Sequence, residues 1–476
     1  MRYITKTDLK IVARDMGVLM IGIGVMCLIP LFINPIFAEN NIIGFLIPAL
    51  ISMGLGYFLM KYFEEYNKKM KIKHGMMISS IGWLWAGLMG GIAIAITTNI
   101  PLIDGIFESV SALTGTGITI YADLEILPYS ILFFRAFEQW IGGLGVIVLV
   151  LLFISKPGSM ASNLYHSEAR DERLRPSIRN TIKEILKIYL IYTAAGVILY
   201  VLAGMPLFDA ICNTFCIIST GGMNIKNANI GYYHSDIIYL ISMIIMVLGA
   251  TSFLVHYNII RTRGKSLIED LQFKVILSII AFVSLILYFI SNIVPIDLLF
   301  TIVSTITTTG ASVNSSAAMA GWPSVVLITI MCLMIIGGSS GSTSGAIKLS
   351  RIIIFFKGVH RNIREIISPV GMVASIQLNG KKLPEKTIGQ AGTFIALYLI
   401  FIVITWVLFS FYGYDPFKSL FTAISLQGNN GLELGIIKNT MPPLLKLMGI
   451  LDMWAGRLEI YPILLLLRTG LEAFKR

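Results

Sequence analysis

The residues best suited to do chemistry in this chain sit in four short polar stretches. Aligned on one glycine, they read SALTGTG (111–117), CIISTGG (216–222), STITTTG (304–310) and SLQGNNG (425–431). Ser or Cys (Ser111, Cys216, Ser304, Ser425) stands at the same offset before the final glycine in all four. An aspartate (Asp104, Asp209, Asp297) precedes the first three glycines at one fixed distance, whereas Asp415 stands further ahead of the fourth. The apolar run between aspartate and turn is about 7 to 10 residues, far short of the ~20 that cross a bilayer as a helix. It suits a half-helix that dips in from outside and returns as an extended strand. Lipid offers an irregular backbone no hydrogen-bond partners, so such a backbone at depth must line a water-filled or ion-filled path. Gly, Ser and Thr also favour ordinary turns, which makes four plain external loops the alternative. The shared apolar lead-in and the identical Ser/Cys-to-Gly spacing speak against it.

What such turns offer is oxygen. A partly dehydrated cation must replace its lost water, and a ring of backbone carbonyls does so without fixed charge. Glycine at the shared position permits backbone conformations closed to other residues and a close approach to an axis. Thr and Ser hydroxyls can tie the strand to its half-helix, and four inward-pointing helix C-termini add partial negative charge. The candidate ligand positions are Thr114, Gly115, Thr116 and Gly117; Ser219, Thr220, Gly221 and Gly222; Thr307, Thr308, Thr309 and Gly310; and Gly428, Asn429, Asn430 and Gly431. Magnesium or calcium would demand carboxylates, and none lies inside the turns. Asp104, Asp123, Asp209, Asp236, Asp297, Asp415 and Glu433 gather on one side, either concentrating cations or serving as solvated loop charges. Cys212 and Cys216 are helically spaced but have no histidine or further thiol near enough to complete a zinc site, and read as apolar filler.

The elements that must position these turns are membrane spans. The chain is 56% hydrophobic and 13% charged, with a mean hydropathy of +0.80, against about 25% charged residues in soluble domains. Ten apolar segments are expected, at 16–37, 42–63, 76–97, 128–154, 185–203, 237–260, 275–293, 323–356, 388–411 and 444–467. The first is too long for a signal-peptide core and reads as a retained span. With both termini cytoplasmic, the inner segments hold all but six of the 37 Lys and Arg, the exceptions being Arg135, Lys226, Lys418, Lys438, Lys446 and Arg457. This obeys the positive-inside rule and accounts for the net charge of +11 by contact with anionic headgroups rather than nucleic acid. The fold class expected is an all-α integral membrane protein. Four pseudo-symmetric helix–pore loop–helix repeats surround a central pore, and a two-helix hairpin precedes them. The divisions are 1–75 (hairpin), 76–155 (repeat 1), 156–182 (cytoplasmic linker), 183–262 (repeat 2), 263–360 (repeat 3) and 361–476 (repeat 4).

At this point the sequence resembles the Trk/Ktr/HKT potassium transporters, in particular their TrkH-like branch. The likeness rests on the four turns with one glycine each, on RAFEQWIGGLG (135–145), on RPSIRNTIKEILKIYLIY (175–192) and on GGSSGSTSGAIKLSR (337–351), and it covers roughly residues 76–476. The extra hairpin favours TrkH over shorter Ktr-type subunits. TGTG in the first turn and GNNGLELG in the fourth depart from an all-threonine pattern and leave the strictness of K⁺ over Na⁺ open. The resemblance implies channel-like K⁺ uptake through a carbonyl filter across the cytoplasmic membrane, with a K⁺/Na⁺ or K⁺/H⁺ symporter on the same scaffold as the alternative. It implies no cofactor within the chain and K⁺ as the substrate ion. It further implies a homodimer and a TrkA-like cytosolic subunit that binds NAD or ATP and docks on inner loops such as 155–187 and 346–387.

The segment 323–356 is too long for one span, and its Gly- and Ser-rich centre should unwind. Gly337, Gly338, Ser339, Ser340, Gly341, Ser342, Thr343, Ser344 and Gly345 form either a surface loop or, as the resemblance implies, a gate below the filter together with Lys348 and Arg457. Arg457 stands deep in the last span and needs a cavity or a partner; a pair with Asp452 or Glu459 is the structural alternative. Arg135 and Glu138 are expected to pair with each other. No HExxH, Walker A or other catalytic constellation occurs, so an enzyme is not expected.

Overall fold

A computed structural model describes residues 5–66, 71–145, 178–368, 377–378, 381–382 and 384–474. Most of the expected linker 156–182, and the inner end of the segment 128–154, lie outside the described residues.

Helix α1 (Lys6–Leu28) begins well before the apolar run at 16, because Thr5 and Asp8 form a reciprocal capping box. Asp8 is also bonded to Lys73 and His74, each at 2.7 Å, so the charged first turn is built into the fold. Helix α2 (Ile42–Tyr62) packs along α1 with Gly17 against Gly56, the close backbone approach that small residues allow in lipid.

Four units follow. Repeat 1 is α3 (Ile72–Thr98), the half-helix α4 (Leu102–Thr114) and α5 (Tyr129–Leu144). Repeat 2 is α6 (Ile178–Leu202), the half-helix α7 (Leu207–Ile218), and α8 (Asp236–Gly249) with α9 (Phe253–Thr262); the short α10 (Lys265–Glu269) leads out of it. Repeat 3 is α11 (Leu271–Ile290), the half-helix α12 (Pro295–Ile306), a short α13 (Ser316–Ala320), α14 (Ser324–Ile335) and α15 (Leu349–Ile367). A two-residue antiparallel pair, Gln377–Leu378 with Lys381–Lys382, precedes repeat 4. Repeat 4 is α16 (Glu385–Phe411), the half-helix α17 (Pro416–Gly428), α18 (Pro443–Arg457) and α19 (Tyr461–Phe474). The chain is an almost wholly helical membrane protein of four such repeats around a central pore.

Each half-helix starts at a proline: Pro101 and Pro206 at the N-cap, Pro295 and Pro416 in the first turn. Proline has no N–H to leave unpaired there and carries the right φ. Asp104, Asp209 and Asp297 follow in the first turn, where the helix dipole favours a negative charge. Asp415 instead caps α17 by accepting from the Lys418 N–H at 2.9 Å, which explains its different spacing. The half-helices are 12 or 13 residues long, roughly 18–20 Å, and stop within the molecule.

Among the described residues, six helices are long and apolar enough to cross a membrane, and a seventh is counted if α8 and α9, bent by 104° at their break, are taken as one span. Their outer faces carry bare apolar side chains such as Phe282 and Phe289. Two segments expected as single spans, 237–260 and 444–467, are broken, and 323–356 breaks as expected. The chain at 237–260 breaks because the Gly249 and Ala250 carbonyls accept hydrogen bonds from the 336–348 loop instead of from their own helix. The partners are Thr343 N–H at 3.2 Å and Ser339 N–H at 2.9 Å. The segment 323–356 is two helices flanking that loop, as its composition required. The last span breaks between α18 and α19, where Glu459 and Ile460 take left-handed φ of 60° and 65°.

Candidate functional site

The four polar turns share one backbone form. Their second residues, Gly115, Thr220, Thr308 and Asn429, have φ of 71°, 54°, 57° and 49°, and their final glycines, Gly117, Gly222, Gly310 and Gly431, have 82°, 65°, 70° and 101°. The N–H groups of the last two residues turn back to the half-helix. Thr116 and Gly117 donate to the Ser111 carbonyl, Gly221 and Gly222 to that of Cys216, and Thr309 and Gly310 to that of Ser304, at 2.8–3.4 Å. In repeat 4, Asn430 N–H reaches the Ser425 carbonyl at 3.0 Å and Gly431 N–H the Ser425 hydroxyl at 3.1 Å. The recurring Ser/Cys position is therefore the anchor of each turn. Among the described residues, no hydrogen bond is directed at the carbonyls of Thr116, Thr309 and Asn430.

The turns close into a ring. A Cβ placed on Gly117 would fall 2.0 Å from the Gly221 carbonyl oxygen, one on Gly222 2.0 Å from that of Thr309, one on Gly310 1.6 Å from that of Asn430, and one on Gly431 2.2 Å from that of Thr116. Each glycine thus faces the third-position carbonyl of the next repeat, in the order 1, 2, 3, 4 and back to 1. No side chain fits at any of the four. The hydroxyls tie this ring down from behind: Thr114 bonds to Thr116, and Thr307 to Thr309, both at 2.8 Å, and Ser111 and Ser304 donate to the carbonyls of Ile118 and Ala311.

Outside the ring lies a cavity of about 340 Å³, bordered by Gly117, Gly310, Gly431, Arg135, Lys226 and Glu433. On the other side the space is about 50 Å³, enough for a few waters, and it is bordered by Gly345, Lys348, Gly456 and Arg457. The 336–348 loop fills that side. Gly345 N–H donates to the Thr308 hydroxyl at 2.7 Å, and the Thr343 hydroxyl bonds to the Gly249 carbonyl at 2.9 Å and to the Thr220 hydroxyl at 3.1 Å. Arg457 holds the same loop through the Thr343 carbonyl at 2.8 Å and reaches across to the carbonyls of Gly142 and Gly143 at the end of α5. Lys348 folds back onto the Ser344 carbonyl.

This architecture has known relatives. A family model described as TrkH, cation transport protein, matches residues 40–294 and 293–473. The chain belongs to the TrkH family of cation transport proteins. It is 37% identical to an uncharacterized cation transporter of Methanocaldococcus jannaschii over 98% of this chain and 97% of that one. It is 29% identical to the Trk system potassium uptake protein TrkH of Escherichia coli K12 over 96% and 98%. The crystal structure of the potassium transporter TrkH from Vibrio parahaemolyticus superposes with a TM-score of 0.85 at 27% identity, over 96% of this chain and 98% of that chain. The TrkH family is one of transporters, not enzymes.

In this TrkH-family chain some charged residues sit differently from expectation. Arg135 does not pair with Glu138. Its guanidinium meets Glu108 at 2.7 Å, while Glu138 accepts from the Ser109 hydroxyl at 2.6 Å. The pairing crosses from α5 to α4 because both carboxylates lie on faces turned inward, and Glu108 also holds the strand after the turn through Thr119 and Ile120 N–H. Glu459 pairs with Arg351, and Asp452 accepts from Thr405. Of the acidic residues expected to gather cations, Glu433 borders the outer cavity. Asp104 is bonded to Lys446, Asp209 to Tyr233 and Asp297 to Asn314. Asp123 lies on the outer rim, where hydrogen bonds from Asn227 and Glu125 N–H hold its carboxyl below the usual range.

Sequence reasoning missed a second set of glycines. A Cβ on Gly142, Gly249 or Gly456 would meet the carbonyl oxygen of Leu113, Ile218 or Gln427 at 1.8, 2.7 and 2.2 Å, each the residue just before its turn. These glycines let the third helix of repeats 1, 2 and 4 press against the end of its half-helix. The signal that would have found them is their nearly constant distance after the ring glycines.

Proposed function

We propose that the chain takes up K⁺ across the cytoplasmic membrane through a filter of backbone carbonyls supplied by Thr114–Gly117, Ser219–Gly222, Thr307–Gly310 and Gly428–Gly431. The observation that carries this reading is the closed ring, in which four glycines and four third-position carbonyls alternate around one axis. Three of these carbonyls, those of Thr116, Thr309 and Asn430, take no hydrogen bond from the described residues and are suited to replace the water of a monovalent ion, and the half-helix C-termini add negative potential. The Escherichia coli and Vibrio relatives are a potassium uptake protein and a potassium transporter, which supports K⁺ as the ion. Transport is channel-like: K⁺ runs down its combined electrical and chemical gradient.

The loop 337–345, with Lys348 and Arg457, is the gate. Its support is the tie from Gly345 to Thr308 and from Thr343 to Thr220, directly beneath two of the four turns. The chain crosses the membrane ten times with both termini inside, and the repeats divide at 76–155, 183–262, 263–360 and 361–476. It assembles as a homodimer with a TrkA-like nucleotide-binding subunit on the basic inner face, which includes Arg361 and Arg364 of α15; the name Trk system of the relatives supports partner subunits.

The test is uptake of radiolabelled Rb⁺ into liposomes. Wild type takes up Rb⁺ in competition with K⁺, and Gly310→Ser abolishes the uptake or lets Na⁺ compete. Absence of Rb⁺ uptake under any gradient overturns the assignment, and uptake that stops on removing Na⁺ or the pH gradient moves it to a symporter.

A further inference from the structure

The second turn differs from its three neighbours in a way that points to a residue outside it. At the third position, repeats 1, 3 and 4 carry Thr116, Thr309 and Asn430. Each bonds to a group behind the ring: Thr114 and Thr307 at 2.8 Å, and the Thr305 carbonyl at 2.9 Å. Repeat 2 has Gly221 there, with no side chain, and Cys216 in place of the anchoring serine. The missing side chain is supplied by another repeat. Gln139 of α5 is fully buried, and its amide occupies the position a Gly221 side chain would take: a Cβ on Gly221 would fall 2.5 Å from the Gln139 amide carbon. Its Nε2 donates to the Gly221 carbonyl at 2.8 Å, and its Oε1 accepts from Met223 N–H at 3.1 Å. Four residues further along the same face of α5, a Cβ on Gly143 would fall 2.6 Å from that of Ser219, so α5 is the back wall of the second turn. Asn229 adds a bond to the Gly222 carbonyl at 3.1 Å.

We propose that Gln139 is a positioning residue that sets how strictly the filter favours K⁺ over Na⁺; this rests on the filter reading above. A carbonyl oxygen has two lone pairs, so the Gly221 oxygen can take the Gln139 N–H and still face the pore. The hydrogen bond holds it back from the axis. A smaller ion needs the ring to contract around it, and the second quadrant then contracts only by breaking that bond.

The test compares Na⁺ and Rb⁺ permeability in liposomes bearing wild type, Gln139→Ala, Gln139→Met and Gln139→Glu. All three variants are expected to raise the Na⁺-to-Rb⁺ permeability ratio several-fold. Glu is informative through pH: ionised, its carboxylate still accepts from Met223 N–H but cannot donate to the Gly221 carbonyl, whereas the neutral acid can donate there. A reciprocal pair keeps the test open where one variant misfolds. Gly221→Ala alone drives a methyl into the amide and lowers Rb⁺ uptake, and adding Gln139→Ala restores it. A purely structural glutamine would lower protein yield while leaving the permeability ratio at the wild-type value, and that ratio in folded Gln139→Ala and Gln139→Met overturns the proposal. So does a Gly221→Ala defect that Gln139→Ala fails to relieve. A wild type that takes up no Rb⁺ fells the filter reading itself, and this inference with it.

Discussion

Arg457 and the Glu108–Arg135 pair show what single residues do when charge is buried in a membrane protein. Arg457 is a positive charge beside the small inner cavity, bonded to carbonyls on both sides of it. It fastens the loop through Thr343, and in the proposed gate its charge raises the barrier to a cation. Replacing Arg457 with Ala should speed Rb⁺ entry several-fold; slower entry from protein present at wild-type levels would count against the gate. Glu108 and Arg135 are 0% and 1% exposed, and removing one partner leaves the other charged and unpaired. Glu108→Ala or Arg135→Ala should cost roughly 3–5 kcal/mol of stability. Glu108→Leu combined with Arg135→Met should cost less than either Ala change, because no lone charge is left behind. Thermal unfolding in detergent measures the comparison, and an additive double variant would show that the two do not act as a pair.

At the scale of elements, the 336–348 loop and the break between α8 and α9 are one device. The break leaves the Gly249 and Ala250 carbonyls without helical partners, and buried carbonyls must be satisfied. The loop satisfies them through Thr343 and Ser339, and Phe253 N–H returns a bond to the Gly341 carbonyl at 3.1 Å. Shortening the loop by two or three residues within 337–345 should therefore raise Rb⁺ flux and also loosen the inner half of repeat 2. Unchanged flux from a well-folded deletion would remove the loop from the gate. Thr308→Val is a finer probe, since it takes the acceptor from Gly345 N–H while leaving the ring glycines untouched; it should raise flux less than the deletion does.

At the scale of the whole molecule, the proposed orientation follows from charge. Lys438 lies in the segment between the fourth turn and α18, and Lys265 begins α10; the proposed topology puts them on opposite sides of the membrane. In a chain made otherwise cysteine-free, Lys438→Cys should react with a membrane-impermeant thiol reagent added to intact cells. Lys265→Cys should react only after permeabilisation. The reverse pattern would invert the assigned topology.

The sequence alone determined the fold class and marked the four turns on which the proposed chemistry rests. Spacing of the Ser/Cys and glycine positions marked the four turns, because each half-helix must end at the same distance from its anchor. The lysine and arginine distribution carries the proposed sidedness, and composition set the break at 337–345. These are local rules, readable along one strand of chain. What only the tertiary structure decided lies between repeats. No linear spacing reveals that Gly117 faces the Gly221 carbonyl or that Gly431 closes the circle onto Thr116. Nor does it reveal that Arg135 prefers Glu108 to its helical neighbour, or that the break at 249–252 exists because a distant loop satisfies it. The physical reason is common to all of them. In a membrane interior each buried charge, carbonyl and N–H takes whichever partner the packing brings near, and packing around a fourfold axis brings together residues far apart in the chain. The side chain missing at Gly221 is the sharpest case: from the sequence it is a variation within one turn, and in the fold its place is filled by Gln139 of the neighbouring repeat.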